Sequence, residues 1–384
     1  MTKAASYACF TDNVHPTDNN VLLSTGHPMS QAPLLADAQH SQERLLVIYT
    51  GGTIGMQHHV NGLAPAGDFA PRLARALHQL PVRLQQALPA YDLISYAPLI
   101  DSSAATPLTW QQLAADIAER FANYRGFVVI HGTDTLSWTA ASLAYQLQGL
   151  DRPVVLTGAM APLEASDSDA LENLYGALRF AANSELQEVA IYFAGRLLRG
   201  TRAIKQHSEA VEAFSSPSYP LLGERVGDDF ILYPSRGLAY QQRGAPRFEL
   251  LDYQPLANGE VVRITLWPGI APWQLASWLS HSDVKGALLQ LWGAGNLPDN
   301  PALLAVIAKA SGEGKLIAAI SQCPQGSVHM GAYAAGHGLA DAGVLSGDDM
   351  TPEAAYTKLV HLIAQPISLE DQRRRFLTAL VGER

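Results

Sequence analysis

Residues 45–55 read Leu45-Leu46-Val47-Ile48-Tyr49-Thr50-Gly51-Gly52-Thr53-Ile54-Gly55. The apolar run is typical of a strand that is buried on both faces, and it stops at two glycines and a threonine. A second stretch repeats this plan, because Phe127-Val128-Val129-Ile130-His131 continues into Gly132-Thr133-Asp134-Thr135. The sequence therefore predicts two buried strands that each end in a turn, with the hydroxyls of Thr53 and Thr133 at the mouth of a sheet.

Predicted strands alternate with amphipathic helices between residues 44 and 225. The strands are expected at 45–50, 91–97, 127–131, 154–157 and 189–193. Such alternation is typical of crossover units around a parallel sheet. The handedness of these units places the turns after successive strands at one edge of the sheet, where ligands bind in such folds. We therefore expect an α/β fold with its site at that edge.

Composition and periodicity divide the chain into four segments. Residues 1–43 are rich in Asn, Ser, Thr, His, Pro and Gln and predict a flexible N-terminal extension. Residues 44–225 predict an N-terminal α/β domain. The periodicity weakens from about residue 223 to residue 258, which predicts a hairpin and a linker, with the linker assigned to residues 226–258. Residues 259–384 predict a smaller C-terminal α/β domain with strands at 261–267, 287–292 and 316–320 and helices near 273–280, 301–311, 351–363 and 369–381.

The totals exclude several classes of protein. The chain has 384 residues, of which 48% are hydrophobic and 16% charged, so a sizeable core is expected and wholesale disorder is not. A net charge of -9 does not suit a nucleic-acid-binding protein. The sequence has no apolar run near the ~20 residues that span a bilayer and no signal peptide of the usual form. Cys9 and Cys323 fit neither a disulfide framework nor a metal spacing, and we predict a soluble cytoplasmic protein.

Three common site motifs are missing from the sequence. A dinucleotide fingerprint needs three spaced glycines and a downstream acidic residue, and Gly51, Gly52 and Gly55 have the wrong spacing. Neither a Gly-x-Ser-x-Gly elbow nor a His-Glu-x-x-His zinc motif occurs. His58 and His59 are adjacent, so on a strand they would point to opposite faces, and we interpret them as loop residues. We therefore expect no cofactor and no metal.

The hydroxyls of Thr53 and Thr133 remain as candidate chemistry. A threonine is a poor nucleophile unless a base takes its proton, and a lysine that desolvation keeps neutral could do so. Lys205 follows the fifth strand and is a candidate base, and Asp134 could orient it as the third member of a triad. Backbone amides freed by the glycines could serve as oxyanion donors. Gly-Thr turns are also common structural features and most lysines are solvated, so the residues alone leave both interpretations open.

Further motifs accompany the two threonine turns. In chain order, the motifs are Thr50-Gly51-Gly52-Thr53-Ile54-Gly55-Met56, Asp101-Ser102-Ser103, His131-Gly132-Thr133-Asp134-Thr135, Thr157-Gly158-Ala159-Met160-Ala161-Pro162, Gly200-Thr201-Arg202-Ala203-Ile204-Lys205 and Gly293-Ala294-Gly295-Asn296. With them the chain resembles bacterial L-asparaginases, above all the type I, cytoplasmic branch, from Arg44 to the C-terminus. The resemblance implies a two-domain fold, with a larger, mainly parallel N-terminal sheet flanked by helices and a smaller C-terminal α/β domain.

The resemblance implies hydrolysis of L-asparagine to L-aspartate and ammonia in two steps. Thr53 would attack the side-chain amide carbon, an aspartyl ester would form as ammonia leaves, and water would then release aspartate. Thr133, Lys205 and Asp134 would form a second triad that handles a proton and positions the water. The family uses neither a metal nor an organic cofactor.

The same resemblance implies how the substrate is held. The substrate-binding residues would be Asp101, Ser102, Gly52, Gly132 and Asn296. Asp101 and Ser102 would bind the α-amino and α-carboxylate groups, which orients a small substrate. Family members are homodimers or homotetramers in which the C-terminal domain of a neighbour borders the site, so Asn296 would act on another copy of the chain.

The sequence departs from the family pattern at three places. Leu63 follows Gly62 where these asparaginases usually carry a loop tyrosine that assists the nucleophilic threonine. Residues 101–106, Asp101-Ser102-Ser103-Ala104-Ala105-Thr106, replace a more polar continuation. Gln290 stands where the type I branch has an arginine that serves an allosteric asparagine site, so effector control is not assumed.

Three other functions stay open from the sequence. A glutaminase–asparaginase of broader amide specificity would use the same residues in a roomier pocket. A subunit that feeds ammonia to transfer RNA shares the fold, but such subunits carry an extra N-terminal domain that residues 1–43 are too short to form. A non-catalytic sensor of asparagine or aspartate is suggested by Leu63.

Overall fold

The structure, a computed structural model, describes residues 43–60, 62–330 and 334–384. The predicted flexible extension, residues 1–43, lies outside the described residues apart from Glu43. Within those ranges, no helix combines the length and the apolar character that crossing a bilayer requires.

Strands and helices alternate along the described chain. The strands are β1 (Leu45–Tyr49), β2 (Met56–His59), β3 (Gly62–Pro65), β4 (Tyr91–Ser95), β5 (Gly126–Ile130), β6 (Val154–Thr157), β7 (Val189–Phe193), β8 (Arg196–Arg199), β9 (Ile204–Lys205), β10 (Phe214–Ser215), β11 (Gly223–Val226), β12 (Asp229–Leu232), β13 (Val261–Thr265), β14 (Gly286–Leu291), β15 (Leu316–Ser321) and β16 (Leu345–Ser346). The helices are α1 (Phe69–His78), α2 (Val82–Gln86), α3 (Pro107–Arg120), α4 (Leu136–Gln146), α5 (Ala170–Ala181), α6 (Pro272–Leu279), α7 (Pro301–Gly312), α8 (Ala334–Asp341), α9 (Pro352–Ile363) and α10 (Leu369–Phe376).

One large sheet forms the centre of the N-terminal half, in the spatial order β12–β11–β8–β7–β6–β5–β1–β4. The strands from β7 to β4 are mutually parallel, whereas β8, β11 and β12 are added antiparallel at one end. The side chains of β1 alternate between two cores, since Leu46 and Ile48 enter one and Leu45, Val47 and Tyr49 the other. A strand that is buried on both faces explains the continuous apolar run, and the predicted α/β fold is confirmed.

The strand order reverses at β1. The chain places β4 on one side of β1 and then β5 on the other, with Tyr49 opposite both Ser95 and Ile130. In open α/β sheets, ligands bind outside the carboxyl ends of the strands next to such a reversal. The turns that follow β1, β4 and β5 therefore meet where a site is expected.

The antiparallel end of the sheet is a finding that the sequence did not predict. The chain leaves β7 through Ala194 and Gly195, whose φ angles are 47° and 79°, and returns at once as β8. β11 and β12 then form a hairpin on β8. The sequence suggested a hairpin and a linker between residues 223 and 258, but it did not indicate that this hairpin, which includes residues 229–232, extends the large sheet. Phe230, Ile231 and Leu232 are all apolar, so no alternation of apolar and polar residues marks this half-exposed strand.

A smaller sheet of parallel strands, β13–β14–β15–β16, forms the C-terminal half. Its first core includes Leu275 of α6 and Leu303 of α7, and its second includes Leu359 of α9 and Phe376 of α10. The predicted two-domain organisation is confirmed. α10 ends at Phe376 rather than near 381. The Lys358 amine donates hydrogen bonds to the carbonyls of Phe376 and Thr378, at 2.8 and 2.7 Å, and these bonds take the place of further helical ones.

Helix α9 joins the two halves by packing against α4 of the N-terminal domain. The Tyr145 hydroxyl of α4 donates to the Ala354 carbonyl of α9 at 3.1 Å. A buried chain of polar groups continues the interface, since Tyr253 contacts His361 at 2.9 Å and His361 contacts Glu249 at 2.8 Å. Because α4 directly follows the turn that carries Thr133, the C-terminal domain supports that turn from behind.

A buried ion pair anchors the end of the chain. The side chains of Lys358 and Glu383 are both 0% exposed, and the amine donates to the carboxylate. The carboxylate also accepts hydrogen bonds from the backbone amides of Leu380 and Val381, at 3.0 and 2.8 Å. The pair therefore holds the last residues in a compact tail against the N-terminal domain.

Replacing Lys358 with methionine tests the contribution of this pair. The change leaves the Glu383 carboxylate buried without its partner, so we expect the free energy of unfolding to fall by about 3–5 kcal/mol. Lys309→Met is the control, because the pair of Lys309 with Glu313 is exposed and should contribute no more than about 1 kcal/mol. Urea unfolding followed by circular dichroism measures both variants, and equal losses would contradict the expectation.

Candidate active site

Three neighbouring strand ends meet at one edge of the large sheet. After β1 the chain passes through Gly52, whose φ angle of 99° favours glycine, and enters the 3₁₀ turn Thr53–Gly55. After β5 it passes through Gly132 into the turn Thr133–Thr135. The segment after β4 ends in a third turn, Ser102–Ala104.

The glycines let these turns touch through their backbones. A Cβ atom on Gly52 would lie 2.6 Å from the Gly132 nitrogen, and a Cβ atom on Gly132 would lie 2.4 Å from Ser102 Oγ. The Thr135 hydroxyl donates to the Ser102 carbonyl at 2.7 Å and ties the same turns together. The turns after β1, β5 and β4 are therefore in direct contact, and a side chain at either glycine would push them apart.

Thr133, Lys205 and Asp134 form a connected group. The Lys205 amine donates to Thr133 Oγ1 at 2.9 Å and to Asp134 Oδ1 at 2.7 Å. Thr133 is 8% exposed and the Lys205 side chain 19%, whereas the Asp134 side chain is 64% exposed. One buried hydroxyl is thus held by a lysine whose other contact is a solvated carboxylate. The three residues of the predicted second triad lie together in the structure.

Lys205 reaches this group by a route that the sequence did not indicate. β8 runs back along β7, so Lys205 is not at the carboxyl end of a parallel strand but on β9, which pairs with β10. The buried segment before β9 is bonded to the C-terminal tail, since Thr201 donates to the Val381 carbonyl at 3.3 Å and Arg202 Nε to the Gly382 carbonyl at 2.9 Å. The end of the chain therefore fixes the strand that carries Lys205.

Asp101 and Ser102 lie side by side at the rim of the group. Asp101 is exposed, and its carboxylate accepts the Ser103 amide at 2.9 Å, which caps the short turn. Ser102 is 4% exposed and lies against Gly132. A negative charge beside a hydroxyl donor suits a small ligand that carries both an ammonium and a carboxylate group.

Thr53 opens its turn in a half-buried position. Among the described residues, no side chain makes a hydrogen bond to its hydroxyl. The chain beyond it forms the β2–β3 hairpin in place of the predicted loop, with Leu63 opposite His58. Leu63 is 43% exposed, and its side chain has no group that can exchange a proton with Thr53.

Asn296 and Gln290 belong to the C-terminal sheet. The backbone of Asn296 closes a tight turn with Trp292, and within the described part of the chain its side chain makes no hydrogen bond to the N-terminal domain. Gln290 is 6% exposed, and its amide oxygen accepts hydrogen bonds from Arg263 Nε and Thr265 Oγ1, each at 2.8 Å. The predicted role of Asn296 in another copy of the chain stays a prediction.

Two buried titratable groups shape the turns. Burial lowers the pKa of His131, and its ring nitrogens lie 2.7 Å from the Gly132 carbonyl and 3.1 Å from Thr139 Oγ1, so a neutral ring can donate to the first and accept from the second. Burial raises the pKa of Tyr49 to about 12, and its hydroxyl packs against Gly55. Neither group changes its charge near neutral pH. Among the described residues, no three His, Cys, Asp or Glu side chains are grouped so that they could hold a metal ion.

Two charged residues behind the Thr53 turn were not among the site residues predicted from the sequence. Arg72 is 3% exposed on α1 and donates to the Gly55 carbonyl at 2.9 Å and to Glu164 at 2.6 Å. One signal marks it, because Arg72 lies between Phe69 and Leu73 on the apolar face of an amphipathic helix, where an arginine is unusual. Glu164 carries no such signal, since it lies in a polar loop.

Comparisons with known proteins match both halves of the chain. The family model described as "Asparaginase, N-terminal" matches residues 44–236, and the one described as "Glutaminase/Asparaginase C-terminal domain" matches residues 260–376. L-asparaginase 1 of Escherichia coli (strain K12) is 37% identical over 347 residues, which cover 89% of this chain and 98% of that protein. The 60 kDa lysophospholipase of Mus musculus is 38% identical over 368 residues, which cover 91% of this chain and 64% of that protein. The crystal structure of L-asparaginase I from Vibrio cholerae is similar with a TM-score of 0.79 at 38% identity, covering 89% of this chain and 99% of that one.

Substituting Gly132 tests the contact between the turns. In Gly132→Ala the new methyl group would collide with Ser102, so we expect a loss of about 1–3 kcal/mol in the free energy of unfolding and an outward shift of Ser102 in a crystal structure. Gly67→Ala is the control, because a Cβ atom there would meet no heavy atom within 4 Å. Equal stability of the two variants, with Ser102 in place, would show that the contact does not set the distance between the turns.

Proposed function

The chain belongs to the asparaginase family, and we propose that it hydrolyses L-asparagine to L-aspartate and ammonia through an acyl intermediate on Thr53. The observation that supports this most is the group of Thr133, Lys205 and Asp134, packed against the turn that carries Thr53. It combines a candidate hydroxyl nucleophile with a hydroxyl–lysine pair for proton transfer and a carboxylate that orients the lysine. Acyl transfer uses this set of groups.

In the first step, Thr53 Oγ1 attacks the side-chain amide carbon of asparagine. The new C–O bond places a negative charge on the amide oxygen, and backbone N–H groups at the glycine turns stabilise this oxyanion. The threonine proton passes to a base and then to the departing nitrogen, so the C–N bond breaks and ammonia leaves. We assign the base to Lys205, which acts through Thr133 or a water molecule, because Leu63 offers no phenol.

In the second step, water attacks the aspartyl ester. Thr133 positions the water, and Lys205 takes its proton by way of the Thr133 hydroxyl. The ester C–O bond breaks and Thr53 regains its proton, so one asparagine and one water give one aspartate and one ammonia. Asp134, 2.7 Å from the Lys205 amine, stabilises the ammonium that forms during the transfer.

Asparagine is oriented through its two charged ends. We assign its α-ammonium group to the Asp101 carboxylate and its α-carboxylate to the Ser102 hydroxyl and nearby backbone amides. Gly52 and Gly132 contribute room and backbone contacts. Fixing both charges at the α-carbon places the amide carbon at Thr53, and such positioning supplies a large share of the rate enhancement.

Assembly and location complete the proposal. We assign the chain to a homodimer or homotetramer in the cytoplasm, in which Asn296 of one copy borders the site of another. Light scattering after gel filtration gives the number of chains in solution.

A broader amide specificity is the second candidate function. A surface cleft of about 990 Å³ adjoins Asp101 and extends to Asp252 and Gln254. Glutamine is one methylene group longer than asparagine. A difference of one methylene group in a pocket changes the ratio of the two kcat/KM values by only about 10- to 200-fold. Rates of ammonia release measured side by side on asparagine and glutamine decide between an asparaginase and a glutaminase–asparaginase.

Single substitutions test the catalytic roles. Thr53→Ala, Thr133→Ala and Lys205→Met should each lower kcat for asparagine by about 10²-fold or more, because each removes the nucleophile or a proton-transfer group. Thr378→Ala is the control, since that exposed hydroxyl donates to the Arg374 carbonyl, away from the site. An ammonia-release assay measures kcat for all four variants. Wild-type activity in Thr53→Ala would contradict the assignment of Thr53 as the nucleophile.

Replacing Leu63 with tyrosine tests whether the lack of a phenol on the hairpin limits kcat. We expect Leu63→Tyr to raise kcat by about tenfold, because a phenol near Thr53 supplies a general acid–base group. Leu63→Phe adds the ring without the hydroxyl and should leave kcat unchanged. The same ammonia assay compares the variants, and an unchanged kcat in Leu63→Tyr would mean that another group already activates Thr53.

A further inference from the structure

Three successive carbonyls after Thr53 accept hydrogen bonds from outside their own turn. The Ile54 carbonyl accepts from the Leu163 amide at 3.0 Å. The Gly55 and Met56 carbonyls accept from the two terminal nitrogens of Arg72, at 2.9 and 3.5 Å. The backbone that follows the candidate nucleophile is therefore held at every residue up to the start of β2.

Arg72 is placed as a clamp. Its side chain is 1% exposed, whereas that of Glu164 is 47% exposed. Glu164 accepts from Arg72 Nε at 2.6 Å and from Nη2 at 2.5 Å, so one edge of the guanidinium faces the carboxylate and the other faces the turn. This planar fork lets one side chain bond a carboxylate and two carbonyls together, which the point charge of a lysine cannot reproduce.

The hydrogen bonds between Arg72 and Glu164 favour the charged form of both side chains. The hydrogen bond to Glu164 is the main cause that raises the pKa of Arg72, and the bond to Arg72 is the main cause that lowers the pKa of Glu164. Both groups thus remain charged at neutral pH. The Glu164 carboxylate faces water on one side and pairs with the buried arginine, which without this partner would be an uncompensated buried charge.

The clamp links three separate parts of the chain. Arg72 lies on α1, Glu164 follows β6, and the carbonyls between them belong to the Thr53 turn and to the first residue of the β2–β3 hairpin. The packing beneath is close, since the ring of Tyr49 stacks on Phe69 of α1 at 4.0 Å. Any movement of the turn relative to α1 would therefore break hydrogen bonds to Arg72.

We propose that Arg72, held by Glu164, is a positioning residue that fixes the Thr53 turn for nucleophilic attack, an inference that rests on the proposed role of Thr53. The clamp touches no reacting atom. It acts through the Gly55 and Met56 carbonyls, which set the direction of the turn and the base of the hairpin. Since it holds the nucleophile and not the groups assigned to the α-carbon of the substrate, its loss should lower kcat more than it changes KM.

Kinetics of clamp variants test this inference. We expect Arg72→Gln to lower kcat for asparagine by about 10- to 100-fold with KM changed by less than about threefold, since a displacement near 1 Å can cost about 10²-fold. Arg72→Lys should recover part of the loss, and Glu164→Gln should lose less than Arg72→Gln. Arg83→Gln is the matched control, because Arg83 pairs with Asp228 in an exposed position away from the turn and should keep wild-type kinetics.

Two further readouts separate positioning from folding. Calorimetric titration with L-aspartate counts the binding-competent sites, and kcat is expressed per competent site. Hydrogen–deuterium exchange of the peptide spanning 53–65 should become faster in Arg72→Gln and stay unchanged in Arg83→Gln, while exchange at 127–135 stays unchanged in both.

Each outcome either supports or contradicts the positioning role of Arg72. A kcat per competent site within about twofold of wild type in folded Arg72→Gln, or unchanged exchange at 53–65, would overturn the positioning role. Failure of the proposed function is recognised separately, because the wild-type protein would then release no ammonia from asparagine or Thr53→Ala would remain active. The exchange measurement tests the clamp in either case.

Discussion

The close backbone contact between the turns after β1 and β5 is the constraint on which the rest of the site depends. A Cβ atom on Gly52 would sit 2.6 Å from the Gly132 nitrogen, so the two turns can approach this closely only if residue 52 lacks a side chain. The large sheet brings the strand ends together, because β1 and β5 are parallel neighbours. The glycines then remove the last few ångströms between the turns. The two turns that carry Thr53 and Thr133, which are 80 positions apart in the sequence, are thereby in contact.

The two threonines are held in different ways, and this difference organises the proposed chemistry. The Thr133 hydroxyl accepts a hydrogen bond from Lys205, and the segment before the strand that carries Lys205 is hydrogen-bonded to the C-terminal tail. Thr53 has no such side-chain partner in the described part of the chain, and its turn is fixed through backbone carbonyls by Arg72. In the proposed mechanism, the arrangement at Thr133 serves proton transfer and the arrangement at Thr53 orients the nucleophile. In that mechanism, Leu63 supplies no general acid or base, so Thr53 depends on its orientation and on Lys205.

The sequence indicates most of the fold because its signals are local. Apolar runs that are buried on both faces and end in Gly-Thr turns predict the parallel strands and the edge at which they meet. The antiparallel return of β8 was missed, because Ala194 and Gly195 reverse the chain within two residues, and Lys205 therefore reaches the site from an unexpected side. Arg72 and Glu164 could not be paired from the sequence, since they are 92 positions apart and neither belongs to a recurring motif. Contacts between remote segments depend on the packed fold, whereas strand ends depend on neighbouring residues.

Trapping the covalent intermediate tests the central claim most directly. The wild-type protein is mixed with asparagine, quenched in acid within milliseconds and digested, and the peptides are examined by mass spectrometry for an aspartyl ester. We predict an ester on the peptide that contains Thr53 and none on the peptide that contains Thr133. An ester on Thr133, or ammonia release at the full rate with no ester on Thr53 at any quench time, would contradict this prediction.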